Sequence, residues 1–261
     1  WWLMSDLAIW MAGGVSVPLY PTLAPDTISH ILKHSEARAC FIGKLDGWEA
    51  MAPGVPADLP CISYALSPDS ARKAYPLWDT LCKAAKPITG QPVRGGEDLA
   101  TLIYTSGTTG MPKGVMHNFN NFAWALDAGI RRLPMGKDDR MLSYLPLAHV
   151  VERVLVEHGW LRTGMHVFFA DSLDTFTTDM QRARPTIFFS VPRLWVKFQQ
   201  AIQHKMPEHK LQRLLGLPLI GGLVRRKIQK TLGLDQARIC AGGAAPMPLA
   251  LLQWYSKLGI A

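Results

Sequence analysis

The sequence predicts an α/β protein in which mostly parallel strands are flanked by helices, and three observations carry that prediction. Short apolar segments alternate with helix-length segments along the chain, the pattern of repeated strand–helix–strand units. Leu99–Tyr104 is an uninterrupted apolar run of strand length, as expected of a strand buried on both faces. The 261 residues are 48% hydrophobic and 18% charged, so a packed core is expected rather than disorder. That length holds one large domain or two of about 100–150 residues. Gly136-Lys137-Asp138-Asp139 is the best internal boundary, dividing the chain into 1–135 and 136–261.

Each element has its own warrant. Val15–Tyr20 reads as a strand. Pro25–His34 reads as a helix, with Ile28, Ile31 and Leu32 on one face and Pro25 suited to its first turn. Ala39–Ile42 and Cys61–Leu66 read as strands. After Leu99–Tyr104, Gly114–Met116 returns as a short strand, and Asn118 offers an N-cap to a helix from Phe119 to Arg131. Met141–Leu145 is a strand, Val150–Leu161 a helix and His166–Ala170 a strand. Asp171 or Ser172 caps a helix running toward Arg182. Thr186–Val191 is a strand, and Pro192 opens a long helix to His204. A basic helix follows Gly221-Gly222 and runs to Leu232, then strand Arg238–Ala241 and helix Pro248–Leu258.

The formal charge of +8 and pI near 9.4 call for an anionic partner. Nucleic acid is not expected, because the basic residues are scattered without an aromatic-interleaved stripe. Leu211–Lys230 pairs an apolar run with Arg225, Arg226, Lys227 and Lys230, which suits either docking on an anionic membrane or a solvated helix face. No apolar run reaches the roughly 18 residues of a spanning helix. The first such stretch is interrupted by Asp6 and by Gly13-Gly14. Cys40, Cys61, Cys82 and Cys240 form no C-x-x-C pair, and the equal gaps among the first three look accidental. The thiols read as reduced and buried, in a cytoplasmic protein.

One segment constrains the chemistry more than any other. Thr105 to Gly114 reads Thr-Ser-Gly-Thr-Thr-Gly-Met-Pro-Lys-Gly, directly after a strand. Glycines let backbone approach a ligand, successive N–H groups form an anion-binding concavity, and hydroxyls and a lysine add donors and charge. The natural guest is a polyphosphate, although the pattern is not G-x-x-x-x-G-K-[ST]. His30 and His34, four apart on a helix, have the spacing of a zinc pair but lack an H-E-x-x-H context, so surface or capping roles are expected.

As a string, the Thr105–Gly114 segment resembles the phosphate loop of the adenylate-forming (AMP-binding) superfamily. Gly13–Thr22 with His34–Ala37, Tyr144–Arg153, Ser190–Phe198 and Ala241–Pro246 resemble further segments of its long-chain fatty acyl-CoA synthetases, with Val196 where that branch usually has Glu. The resemblance implies two adjacent sheet subdomains meeting near Gly136. It implies ATP phosphates held by Thr105, Ser106, Gly107, Thr108, Thr109, Gly110 and Lys113. His149 would sit beside the acyl carboxylate, and Gly242, Gly243, Ala244 and Ala245 would lie along the adenine. His149 and Lys113 are the catalytic candidates. ATP, Mg2+ and coenzyme A are the implied cofactors, and a long-chain fatty acid the implied substrate, with peripheral contact at the inner face of a membrane. Alternatives are an acyl-AMP ligase delivering to a carrier protein and a nucleotide-binding protein without catalysis. The family's later Tyr-Gly-x-Thr-Glu motif and C-terminal lid have no counterpart here, so the chain is expected to be an N-terminal fragment, inactive by itself.

Overall fold

The computed structural model describes residues 1–90, 93–105 and 110–260. They form two compact units, residues 1–127 with 145–157, and residues 128–144 with 158–261. Among the described residues the strands pair into four two-stranded sheets, three parallel and one antiparallel, flanked by helices.

The first unit opens with helix α1 (Trp2–Met11), which has no periodic signal because it is apolar nearly all round. Asp6, read as an interruption, is buried in it. The strand expected at Val15–Tyr20 does not form. Only Ser16 bridges to Thr101, in parallel, and Pro18 has no N–H with which to continue the pairing. Helix α2 (Pro25–His34) has the expected bounds and buries Ile28, Ile31 and Leu32. Strand β1 (Cys40–Ile42) follows, then α3 (Trp48–Met51), continued by a short 3-10 turn, and β2 (Cys61–Ser63), shorter than expected.

Strands β1 and β2 pair in parallel with Cys40 opposite Cys61. The strand pairing thus brings two buried thiols side by side, without Cys82. Their mutual hydrogen bond, more than burial, raises the Cys40 thiol well above its ordinary value. Cys82 is exposed and Cys240 half-buried, against the expectation that all four are buried; all are free thiols. Helices α4 (Asp69–Ala74) and α5 (Trp78–Ala84) complete this layer. Its core gathers Ile28, Leu32, Ile42, Trp48 and Met51.

Strand β3 (Leu99–Thr105) buries Ala100, Thr101, Ile103 and Tyr104. Its partner β4 (Lys113–Asn118) returns antiparallel, longer than expected, and takes in Lys113. Asn118 caps α6 (Phe119–Arg132) as expected. Its Oδ1 accepts from Asn121 N–H at 2.8 Å, and Asn121 Oδ1 accepts from Asn118 N–H at 3.0 Å. Two backbone donors at that helix end are therefore satisfied.

In the second unit, β5 (Arg140–Ser143) pairs in parallel with β6 (His166–Phe169). Between them in sequence the expected helix runs as three pieces: α7 (Val150–Glu152) and a π-helical stretch (Arg153–His158), which belong to the first unit as far as Glu157, and α8 (Gly159–Thr163). Helix α9 (Phe176–Ala183) starts later than expected, because Ser172 and Thr175 bond reciprocally in a preceding turn and neither Asp171 nor Ser172 caps it. Strand β7 (Ile187–Ser190) is followed by α10 (Pro192–Lys205), α11 (Glu208–Leu215) and α12 (Ile220–Leu232). Gly221 and Gly222 lie inside α12 rather than before it. A Cβ at Gly221 would stand 2.4 Å from the Leu215 carbonyl oxygen, so this close approach requires glycine.

Strand β8 (Ile239–Gly242) pairs in parallel with β7, and α13 (Leu249–Lys257) closes the unit. Phe176, Met180, Phe188, Trp195, Phe198 and Trp254 fill its core. Asp139 ties together the starts of three strands. It accepts from Gly136 N–H at 2.8 Å, Thr186 Oγ1 at 2.6 Å, and Arg238 Nε and Nη2 at 2.9 and 2.6 Å. The boundary read from the sequence is therefore a structural knot. No described helix is long and apolar enough to cross a membrane.

Candidate functional site

The first unit carries Thr105, Gly110, Lys113 and His149, and the second carries Gly242–Ala245. Ser106, Gly107, Thr108 and Thr109 lie outside the described residues. What is seen of the loop is its two stems. Thr105 ends β3 and Lys113 begins β4, and the two residues stand directly opposite in register. Both are exposed. A hydroxyl and an ammonium therefore meet at the mouth of a two-stranded ribbon. Gly110 has φ of +103°, a conformation that L side chains rarely adopt, so its glycine is a backbone requirement.

Gly114 has a different reason. A Cβ there would approach Cζ of Tyr104 to 3.1 Å, so the tyrosine ring lies over β4 where a side chain would stand. Tyr104 is buried, and burial raises its hydroxyl above the ordinary value. That hydroxyl lies 2.6 Å from His34 Nδ1, and His30 Nε2 lies 3.3 Å from the carbonyl oxygen of Pro112. The two histidines expected at the surface or as caps thus stand against both stems of the loop. His34 is exposed and His30 half-buried. Their i, i+4 spacing was legible; their neighbours, 70 and 82 residues away in sequence, were not. Among the described residues no group of three His, Cys, Asp or Glu side chains could hold a metal ion.

His149 is placed by a separate element. It is the N-cap of α7, and its Nδ1 accepts from the Val151 N–H at 3.2 Å. An acceptor Nδ1 carries no proton, so the neutral ring carries it on Nε2, leaving that N–H as the donor. One turn on, Arg153 N–H bonds the His149 carbonyl at 3.1 Å. The Arg153 side chain is fully buried. Its Nη2 donates to Asp6 Oδ2 at 2.6 Å and to Ser16 Oγ at 3.2 Å, and Nη1 stands 3.5 Å from Glu157. Trp10 and Phe122 cover the guanidinium, with ring centroids at 5.8 and 5.9 Å.

Burial, then the negative charge of Asp6, push the Glu157 carboxyl up to about 9, against the pull of Arg153. Glu157 is therefore neutral where most carboxyls are charged. Burial and the Arg153 charge also lower His117. Neither Arg153 nor Glu157 was among the sequence candidates. The available signal was their place among the apolar residues Val150, Val151, Val154, Leu155 and Val156.

In the second unit the Gly242–Ala245 segment leaves the end of β8. Gly243 N–H bonds the Ser190 carbonyl at 3.1 Å, and a Cβ at Gly243 would come within 2.5 Å of the Phe189 ring. Ala244 holds φ of +66°, rare for a residue with a side chain. Ala244 and Ala245 are exposed. The segment is a narrow, bare length of backbone at the carboxyl end of a parallel strand, where open α/β sheets place their ligands.

Two-stranded, mostly parallel sheets flanked by helices give an α/β fold shared with the N-terminal domains of adenylate-forming enzymes. The chain belongs to the AMP-binding enzyme family, whose model matches residues 1–261. It is similar to the Long-chain-fatty-acid–CoA ligase ACSBG2 of Gallus gallus, with 27% identity over 99% of this chain and 39% of that protein. Long chain acyl-CoA synthetase 4 of Arabidopsis thaliana is 29% identical over 94% of this chain and 42% of its own length. Among solved structures, the A domain of carboxylic acid reductase from Segniliparus rugosus, in complex with AMP and a co-purified carboxylic acid, superposes with a TM-score of 0.75. That match has 25% identity and covers 97% of this chain and 44% of that one. The chain thus spans about two fifths of the length of the curated relatives it matches.

Proposed function

We propose that this chain contributes the phosphate-binding and acyl-binding parts of an enzyme that activates a long-chain fatty acid with ATP and passes the acyl group to coenzyme A. The observation that supports this most is similarity to long-chain fatty acid–CoA ligases along 99% of the chain. In this reading the Thr105–Gly114 segment holds the β and γ phosphates, with Lys113 supplying a positive charge. Gly242–Ala245 lies along the adenine. A carboxylate oxygen attacks the α-phosphorus, the bond to the bridging oxygen breaks, and pyrophosphate leaves. The Nε2–H of His149 donates to an oxygen of the reacting carboxyl group, a preorganised donor that need not be reoriented by solvent. The thiol sulfur of coenzyme A then attacks the acyl carbon and AMP leaves.

Magnesium would ride on the nucleotide's own phosphates, because no described cluster of side chains fits it. The same proposal includes peripheral contact with anionic lipid. It is supported by Leu219, 90% exposed, and Leu223, 68% exposed, beside Arg225, Arg226, Lys227 and Lys230.

Fatty-acid-dependent ATP–pyrophosphate exchange, measured on the full reading frame that encodes this chain, tests the proposal. Losing the donor in His149→Ala should slow exchange about 100-fold, and Lys113→Ala should raise the ATP requirement. Wild-type rates in both would refute the assigned roles. Acyl-AMP accumulation indifferent to coenzyme A would favour a carrier-protein acceptor, and ATP binding without exchange would leave a nucleotide-binding protein.

A further inference from the structure

Among the described residues, the β3–β4 pairing reaches as far as Thr105 and Lys113. Helix α2 supplies additional holds there. His34 bonds the Tyr104 hydroxyl at 2.6 Å, immediately before Thr105, and packs edge-on against its ring at 5.8 Å. His30 bonds the Pro112 carbonyl at 3.3 Å, immediately before Lys113. A carbonyl oxygen can only accept, so His30 carries its proton on Nε2 and donates it. The two imidazoles lie 5.4 Å apart with their planes tilted by 30°, and the opposite face of α2 is anchored by Ile28, Ile31 and Leu32. One helix face therefore grips both stems of a single loop.

The grip has a chemical direction. A carbonyl oxygen is the negative end of its peptide, and one turned toward a phosphate would repel it. His30 keeps the Pro112 oxygen engaged on the α2 side. Tyr104 couples the two stems in a second way, since its ring also lies on the backbone of Gly114. Displacing the ring would disturb β4 and the His34 contact together.

We propose that His30 and His34 are positioning residues that clamp the two described stems flanking the phosphate-loop string, at Tyr104 and Pro112, and so favour triphosphate binding there. The nucleotide part of this inference rests on the reading given under Proposed function; the clamp itself does not.

The test compares the wild-type chain with His30→Ala, His34→Phe, Tyr104→Phe, His34→Gln and the double variant Tyr104→Phe/His34→Phe. The first readout is amide hydrogen exchange in peptides covering residues 104–114, with peptides from β5 as an internal control. Losing one such hydrogen bond should speed exchange there by about 3- to 10-fold, leaving β5 and the melting temperature close to wild type. His34→Gln, which keeps a hydrogen-bonding side chain, should recover part of the protection. The double variant should be no worse than either single change, because both remove the same bond. The second readout is displacement of a fluorescent ATP analogue by ATP, expected to weaken by a similar factor. Unchanged exchange at 104–114 in both His30→Ala and His34→Phe would overturn the clamp. Wild-type chain without ATP affinity would overturn the nucleotide reading, while the exchange comparison would still decide the clamp.

Discussion

Replacing Asp139 by alanine should destabilise the second unit by about 3 kcal/mol, a figure built from its partners. The Gly136 N–H and the Thr186 hydroxyl are neutral donors at 2.8 and 2.6 Å, each contributing about 1 kcal/mol. Arg238 donates twice, at 2.9 and 2.6 Å, but its side chain is 44% exposed. Solvent can replace that pairing, so the arginine contribution is discounted to about 1 kcal/mol. For a chain of this size about 3 kcal/mol corresponds to a melting temperature lower by about 6–12 °C. The pH dependence has a fixed sign. Partial burial pushes the Asp139 carboxyl upward, but hydrogen bonds from Arg238, Thr186 and Gly136 outweigh it and hold it below its ordinary value of 3.8. A depressed carboxyl contributes stability that is present above that value and is lost as pH falls through the folded one. Melting curves of wild type and Asp139→Ala should therefore converge in acid. A shift under about 2 °C near neutrality, or a deficit that does not shrink as pH is lowered, would refute this account of the knot.

Glu157 gives a prediction of opposite sign. Its carboxyl is raised from 4.5 to about 9, so its contribution to stability is fully present below 4.5 and is lost as pH rises toward 9. Glu157→Gln keeps the shape without the titration, so its melting temperature relative to wild type should climb between about pH 5 and about pH 9. A difference that stays constant over that range would contradict the burial argument. For the basic face, flotation with anionic liposomes should retain the wild-type chain and lose the variant with Arg225, Arg226, Lys227 and Lys230 neutralised. Retention of both would mean that these cations make no contact with lipid.

Much of the fold was legible because its signals are local. Pro25 at the first turn, the Ile28–Ile31–Leu32 stripe and the Asn118 cap each act within a few residues, and α2 and α6 formed where expected. What failed depended on partners far along the chain. Asp6 looked like a break in an apolar run, yet it is buried in α1 beside Arg153, 147 residues away. Val15–Tyr20 had strand composition, but only Ser16 found a pairing partner. The candidate site shows the same division. The Thr105–Gly114 string announced itself, whereas the roles of His30, His34 and Tyr104 exist only once α2 lies against the loop stems.

The central claim is that the Thr105–Gly114 segment receives the phosphates of ATP. A crystal structure of the chain with a non-hydrolysable ATP analogue tests it most directly. The account predicts the triphosphate against the backbone of that segment, with the Lys113 ammonium on a terminal phosphate. A nucleotide seated elsewhere, with that backbone already bonded to other protein groups, would contradict it.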